Sequence, residues 1–445
     1  MDSPERPHVV VFVLDDMRYD DMAWMPHVQA LLVDRGVLFT SNYSSHPLCA
    51  PARASLLTGQ YPHHTGVIEN APPHNIEAFD DTSTLGTWLA VAGYATGFVG
   101  KYMNGYERPP FGATYVPPGW EAWRVPYTDV YNYLDQQLSI DGRPTNKTGI
   151  YSTTLYGNYA AAFLTERLEN PRPLYLQINF VAPHGGPPKD PSDPPQLPRL
   201  ATPHVQPKYR GTYTGPTLPQ NPAYNESVIA DKPALGDRPP ISSTVAGHIR
   251  RSMQQRRDSL LAVDDQIRRL IDLIEAHGHG DNTLFVFVSD NGYLQGEHRL
   301  THGKRSHYQP ASHVPLVVRG PGFQPGTACH RLTGVHDVAP TVVAATEATP
   351  RQGHRIDGRP LRDVIAADDG GRAILLEIGD GRGGYVIRGV VSAEQWKYIE
   401  IAGGYTELYN LVEDPHELVN RARRPANYPR KRAELTALLA QLTTS

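Results

Sequence analysis

His8-Val-Val-Val-Phe-Val-Leu14, running straight into Asp15-Asp16, is the stretch on which the fold turns. The run is apolar, rich in β-branched residues and without polar alternation. It therefore suits a strand buried on both faces, the position of a central strand in a helix-covered parallel sheet. It stops at two adjacent carboxylates. In open α/β sheets the carboxyl ends of the strands face the ligand crevice, and buried carboxylates are costly unless a cation or hydrogen bonds satisfy them. A metal site is therefore favoured over a solvated acidic turn.

Three further runs repeat this design. Tyr94 to Lys101 is a short glycine-containing strand that ends on a lysine, and Leu174 to Phe180 leads through Val181-Ala182-Pro183 to His184. Thr283 to Val288 is followed by Ser289-Asp290-Asn291-Gly292, with Gly303-Lys304 soon after and a fifth strand at Pro315 to Arg319. Taken alone, Lys101 reads as solvated and His184 as a satisfied structural histidine. Helices are predicted over Pro26 to Asp34, Thr84 to Ala92, Ser152 to Glu169 and Val245 to Ala276. On the last of these Asp264-Asp265 reads as a solvated face or a capping contact. Val335 to Thr346 is a helix with Asp337 as its N-cap.

Residues 105 to 150, rich in Gly, Pro, Tyr and Trp, are expected to be ordered surface loops. Pro183 to Pro240 holds 15 of the 41 prolines and must be irregular. Residues 347–372 form a polar linker. Beyond it, Ala373 to Glu377, Tyr385 to Arg388 and Trp396 to Glu400 alternate as short antiparallel strands, with a covering helix near Arg430 to Leu442. The expected class is α/β: a large mixed sheet flanked by helices over 1–346, and a smaller C-terminal α+β subdomain over 373–445.

A formal charge of −4 over 445 residues shows no basic excess, which argues against a nucleic-acid partner. With Cys49 and Cys329 the only cysteines, no structural disulfide is expected. No apolar run approaches the roughly 20 residues of a membrane span. The first residues carry no apolar leader, so a cytoplasmic protein is expected, with export after leader removal as the alternative.

Pro47 to Gly59, Pro-Leu-Cys-Ala-Pro-Ala-Arg-Ala-Ser-Leu-Leu-Thr-Gly, carries the chemistry. Pro51 suits the first turn of a helix and Gly59 its left-handed end, so Cys49 lies at a helix N-terminus. That place favours an anion, whether a thiolate or a bound sulfate or phosphate; a buried structural cysteine is the plainer reading. Arg53, one turn on, can point back to Cys49. Jointly the strand ends say more than each alone. Asp15, Asp16, Asp290 and the Asn291 amide oxygen make a hard oxygen set suited to Ca²⁺, with Mg²⁺ as the alternative. Arg53, Lys101 and Lys304 add positive charge around a tetrahedral anion, as sulfuryl or phosphoryl transfer requires.

Cys49-x-Pro51-x-Arg53, continued by Ala54-Ser55-Leu56-Leu57-Thr58-Gly59-Gln60-Tyr61-Pro62, resembles the signature of type I sulfatases. The resemblance covers nearly the whole chain and implies the alkaline phosphatase-like fold. It also implies that a formylglycine-generating enzyme oxidises Cys49 to formylglycine, an aldehyde whose hydrate is the nucleophile. Ala52 stands where serine is usual. On this resemblance Asp15, Asp16, Asp290, Asn291 and residue 49 hold the metal, and Arg53 holds the hydrate. Lys101 and Lys304 bind sulfate oxygens, His184 protonates the leaving alcohol and Asp290 is the base. Met103 replaces a histidine that many sulfatases carry. Gly100-Lys101-Tyr102-Met103-Asn104-Gly105-Tyr106 and Tyr131-Asn132-Tyr133 instead look like the glucosamine-6-sulfatase and heparan endosulfatase branch, which implies a sulfated sugar such as 6-sulfated N-acetylglucosamine. His302 is a candidate second base. The alternatives are a phosphonate or phosphodiester hydrolase and a catalytically dead carbohydrate-binding protein.

Overall fold

The structure is a computed structural model that describes residues 6–193, 201–215, 218–368, 370–423 and 428–444. Its strands begin with β1 (His8–Asp15), β2 (Val37–Phe39), β3 (Asn42–Tyr43), β4 (Ala95–Gly100), β5 (Ala122–Thr128), β6 (Asp135–Ile140), β7 (Arg143–Thr148) and β8 (Leu174–Pro183). They continue with β9 (Thr283–Ser289), β10 (Leu316–Arg319), β11 (Thr327–Cys329), β12 (Thr333–Gly334), β13 (Ile374–Gly379), β14 (Tyr385–Val391), β15 (Trp396–Ile401) and β16 (Tyr405–Asn410).

Ten strands form one sheet in the order β11-β2-β10-β9-β1-β8-β4-β5-β6-β7. β1 is central, parallel to β9 on one side and β8 on the other, and every one of its residues is buried. β4 extends the parallel set beyond β8. Because β1, β4, β8 and β9 run the same way, their carboxyl ends share one edge of the sheet. That edge collects Asp15-Asp16, Lys101, His184 and Asp290-Asn291.

The alternating sides of β1 explain the three layers. Val10, Phe12 and Leu14 pack towards the helices Ser152–Arg167 and Ser243–Ala276, through Leu164, Leu260, Val263 and Ile267. Val9, Val11 and Val13 pack towards Leu56 of the Cys49–Thr58 helix, Leu85 and Leu89, and Val338 and Val342. Each such side chain, once buried, contributes about 1.5–3 kcal/mol. Asp264 is the capping contact: it accepts from the His27 and Val28 N–H groups at 2.9 and 2.8 Å, at the start of the helix that follows Met25. Asp265 faces Lys208 at 3.0 Å.

Several expectations need correction. Residues 105–150 are not all loop, because β5, β6 and β7 continue the main sheet antiparallel to one another. Trp123, Val125 and Leu138 there are fully buried. β7 is a polar edge strand with no apolar pattern to announce it, and Pro126 interrupts β5 at a register shift. The helix over Pro26 to Asp34 is one α-turn, Pro26–Val28, continued as a π-helix over Gln29–Val33. Asp337 occupies the N-cap position of the helix Val338–Thr346, but its side chain makes no capping hydrogen bond there. Its carboxylate accepts instead from the Gly334 and Arg359 N–H groups, each at 2.8 Å, and pairs with Arg372.

The C-terminal sheet has four strands, β13-β14-β15-β16; Tyr405–Asn410 is the one the sequence pattern did not separate. The helix Pro429–Thr444 covers it through Leu435 and Leu439. In the proline-rich excursion 194–200 and 216–217 lie outside the described residues, as does 369; the described part of the excursion holds the short 3-10 turns Pro207–Tyr209 and Pro233–Leu235, and the stretch expected as a linker carries the helix Leu361–Ala366. Among the described residues no helix is long and apolar enough to cross a membrane.

Candidate active site

The helix Cys49–Thr58 starts after an extended Leu48 and ends at Gly59, whose φ of 76° is the left-handed conformation that glycine adopts freely. All ten of its residues are buried. Asn70 Oδ1 accepts from the Ala50 N–H at 3.0 Å, which satisfies one free donor of the first turn. The Cys49 Sγ lies 2.9 Å from Lys304 Nζ and 3.5 Å from Asp15 Oδ1. Burial pushes the thiol up, and the Asp15 carboxylate adds to the rise. A resting thiolate is therefore disfavoured despite the helix terminus, and the anion that this place favours must come from elsewhere.

The strand ends supply the surrounding charges. Lys101 pairs with Asp15, and Lys304 pairs with Asp16. Burial alone would raise Asp15; the Lys101 ammonium, with His184, Lys304 and Arg53, holds it well below the usual carboxylate range. Asp290 goes the other way: burial and then the Asp15 charge push it up to about 6, against the pull of Arg53. Arg53 donates from Nε to Asp290 Oδ2 at 2.9 Å and from Nη1 to the Lys101 carbonyl at 2.8 Å and Asn179 Oδ1 at 3.4 Å. Its hydrogen bonds thus tie the Cys49 helix to three strand ends. Gly100 permits this meeting, because with φ +90° a Cβ there would lie 2.1 Å from the Asn179 carbonyl oxygen.

His184 presents Nε2 3.7 Å from Asp16 Oδ2, while its Nδ1 lies 2.6 Å from the Gly185 carbonyl. That carbonyl can only accept, so Nδ1 carries the proton. Burial lowers the ring to about 4, which leaves it neutral at rest. Three residues missed by sequence reasoning complete the frame. Tyr131 stacks on His184 with centroids 4.1 Å apart, and its hydroxyl accepts from Lys101 Nζ at 3.1 Å and Asn104 Nδ2 at 3.0 Å. Arg256, on the long helix, donates to the Pro183 carbonyl at 3.0 Å and to the Asp16 carbonyl. Asn179 receives Arg53. Two signals were legible: Arg256 interrupts the apolar stripe between Met253 and Leu260, and Gln177 and Asn179 are amides in an apolar buried strand. Tyr131 stood in the quoted stretch Tyr131-Asn132-Tyr133, but nothing local gave it a role in the site.

The candidate second base and the residue that replaces the histidine lie outside this frame. His302 is exposed, with Nδ1 2.9 Å from Thr301 Oγ1. Met103 is core, packed with Ala50, Ala54, Tyr102 and Trp123.

The donor set fits a divalent cation. Ligand atoms of Asp15, Asp16, Cys49 and His184 all lie within 4.8 Å of one another. Asn291 donates from Nδ2 to Asp16 Oδ1 at 2.7 Å, and its Oδ1 is buried with no hydrogen-bond partner among the described residues. A buried amide oxygen left unpaired beside two carboxylates is what a hard cation would satisfy. Asp290 turns Oδ1 to the Asp16 and Asn291 N–H groups at 3.2 and 2.7 Å. Asp15, Asp16 and Asp290 balance Arg53, Lys101 and Lys304, so an added divalent cation leaves the pocket positive and ready for an anion.

Residues 7–348 match the sulfatase family. The chain is 30% identical to the extracellular sulfatase SULF-1 homolog of Drosophila melanogaster over 81% of its own length and 31% of the fly protein. It is 30% identical to the human N-acetylglucosamine-6-sulfatase over 81% of its own length and 64% of the human one, so it spans less than two thirds of either relative. A structure solved with its substrate D-glucosamine-2-N,6-O-disulfate superposes with a TM-score of 0.80 over 99% of this chain and 98% of that one, at 21% identity. This likeness gives the fold, the alkaline phosphatase-like arrangement of sheet and helices. By the extent of the match and the order of its strand-end residues, the chain belongs to the sulfatase family.

Proposed function

We propose that the protein hydrolyses sulfate esters, with 6-sulfated glucosamine or N-acetylglucosamine as the first substrate class. The observation that carries the reading is the convergence on Cys49, within one buried pocket, of three carboxylates and three cations drawn from three strand ends, the Cys49 helix and the loop that bears Lys304. The relatives' names support the sugar.

Formylglycine at position 49, made by a formylglycine-generating enzyme, would supply the nucleophile as an aldehyde hydrate, which the thiol cannot replace. A divalent cation, Ca²⁺ before Mg²⁺, would be held by Asp15, Asp16, Asp290 and Asn291 Oδ1 and would supply Lewis-acid polarisation. The chain's own residues do the rest. Lys304 reaches residue 49 directly and Lys101 meets it through Asp15, both placed to bind sulfate oxygens and to hold negative charge as it develops. Asp290 borders residue 49 and is placed to take a proton from the nucleophile, and Arg53 fixes its orientation. His184 keeps Nε2 towards the pocket; an anionic substrate beside it favours its protonation, and the proton then passes to the leaving alcohol. Tyr131 holds that ring in plane.

The test pairs chemistry with mass. The protein is co-produced with a formylglycine-generating enzyme, the peptide spanning Cys49 is weighed, and sulfate release from glucosamine 6-sulfate is measured beside hydrolysis of an aryl phosphodiester. Loss of the thiol mass with sulfate release is expected. Faster phosphodiester cleavage would assign it to phosphoryl chemistry, and an unconverted Cys49 with no turnover would leave a binding protein.

A further inference from the structure

Beside the site opens a cleft of about 550 Å³ that carries an apolar wall the charged pocket lacks. One wall is apolar, Leu48, Leu235, Leu294, Leu300, Ile387 and Ile401; Arg238, Arg305, His307 and Glu407 line the rest, with Lys304 between cleft and pocket. The six apolar residues come from five parts of the chain. Leu48 precedes residue 49, Leu294 and Leu300 follow the Asp290 turn, and Leu235 comes from the proline-rich excursion. Ile387 and Ile401 are cross-strand partners on β14 and β15 of the C-terminal sheet. Leu235, Leu300, Ile387 and Ile401 are only partly buried and pack at the edge of one hydrophobic cluster. Partly exposed apolar side chains are ordinary when scattered, but gathered in one concave wall they mark a binding surface.

Lys304 sets what occupies it. Its Nζ lies 2.9 Å from Sγ and pairs with Asp16, so a sulfate held there leaves the rest of the ester at the cleft mouth. Sugar hydroxyls laid on the leucine and isoleucine wall would lose water without gaining partners there, whereas an apolar group loses only unfavourable hydration, and the polar side chains of the opposite lining remain for the sugar itself. We infer that the cleft is a subsite for the alcohol half of the substrate, and that it takes an apolar substituent carried by the sulfated sugar. The inference rests on the sulfate-ester reading and deepens it from a bare sulfated sugar to one bearing an aryl or alkyl group.

The test compares the methyl and benzyl glycosides of glucosamine 6-sulfate with the protein carrying a converted residue 49. At ~25 cal/mol per Å² of apolar area removed from water, a ring that enters the cleft lowers KM by about ten-fold. Ile387→Thr and Leu235→Ser, one in a strand and one in an irregular segment, are each expected to bring the benzyl-to-methyl KM ratio towards one. Hydrolysis of both glycosides with equal KM, or a ratio that neither variant moves, overturns the subsite and leaves the sulfate-ester reading standing. No hydrolysis of either glycoside, or of glucosamine 6-sulfate, overturns that reading and the subsite with it.

Discussion

Arg256→Met tests how the site is held. The guanidinium is buried, donates to the Pro183 and Asp16 carbonyls and lies 4.2 Å from the centre of the Tyr293 ring. Both carbonyls belong to strand ends that deliver His184 and Asp16. Asp16 also sits at φ 69°, a left-handed conformation that costs a non-glycine residue about 1–2 kcal/mol and must be held from outside. Removing the donor leaves two buried carbonyls unpaired at about 1–3 kcal/mol each, and losing the ring contact adds about 0.5–2 kcal/mol. Relief of the buried charge offsets part of this. A net loss of about 3 kcal/mol is expected, read from the urea midpoint at unchanged slope. The rate of sulfate ester hydrolysis should fall with it, since Asp16 and His184 lose a shared anchor. Arg256→Lys, which reaches one carbonyl, should fall between. A methionine variant within about 1 kcal/mol of the parent, with the rate intact, would refute the idea that this arginine positions the two strand ends.

Tyr131→Phe keeps the stack on His184 but removes the hydroxyl that accepts from Lys101, so kcat/KM should fall about ten-fold while stability barely moves; an unchanged value would show the hydroxyl to be idle. Adding Ca²⁺ to chelated protein should raise the thermal midpoint, and Asp16→Asn should abolish that rise, since a ligand that binds only the native state stabilises it. Acid should destabilise the fold through its buried neutral histidines, His313 and His336 among them. Burial lowers His313 and His336 to about 4 from about 6.5, so their contribution is complete above pH 6.5 and lost as pH falls through 4. Each is worth on the order of 3 kcal/mol, and His336→Asn should flatten the dependence that urea unfolding reports between those limits.

The sequence by itself determined the strand runs, their charged ends and the helix start at Cys49. These are written in consecutive residues: an unbroken apolar run, a proline in the first turn, a glycine at the end. It also carried the order of motifs that places the chain among sulfatases. Tertiary structure decided the rest, because it depends on neighbours distant in the chain. Parallel pairing of β1, β4, β8 and β9 puts Asp15, Lys101, His184 and Asp290 on one edge. Burial then reverses the local reading of Cys49, which stays a thiol at a helix N-terminus, and gives Arg53 to Asp290. β7 remained hidden because a polar edge strand is stabilised by its partner's hydrogen bonds and leaves no apolar period in its own residues, and in β5 Pro126 falls within the strand.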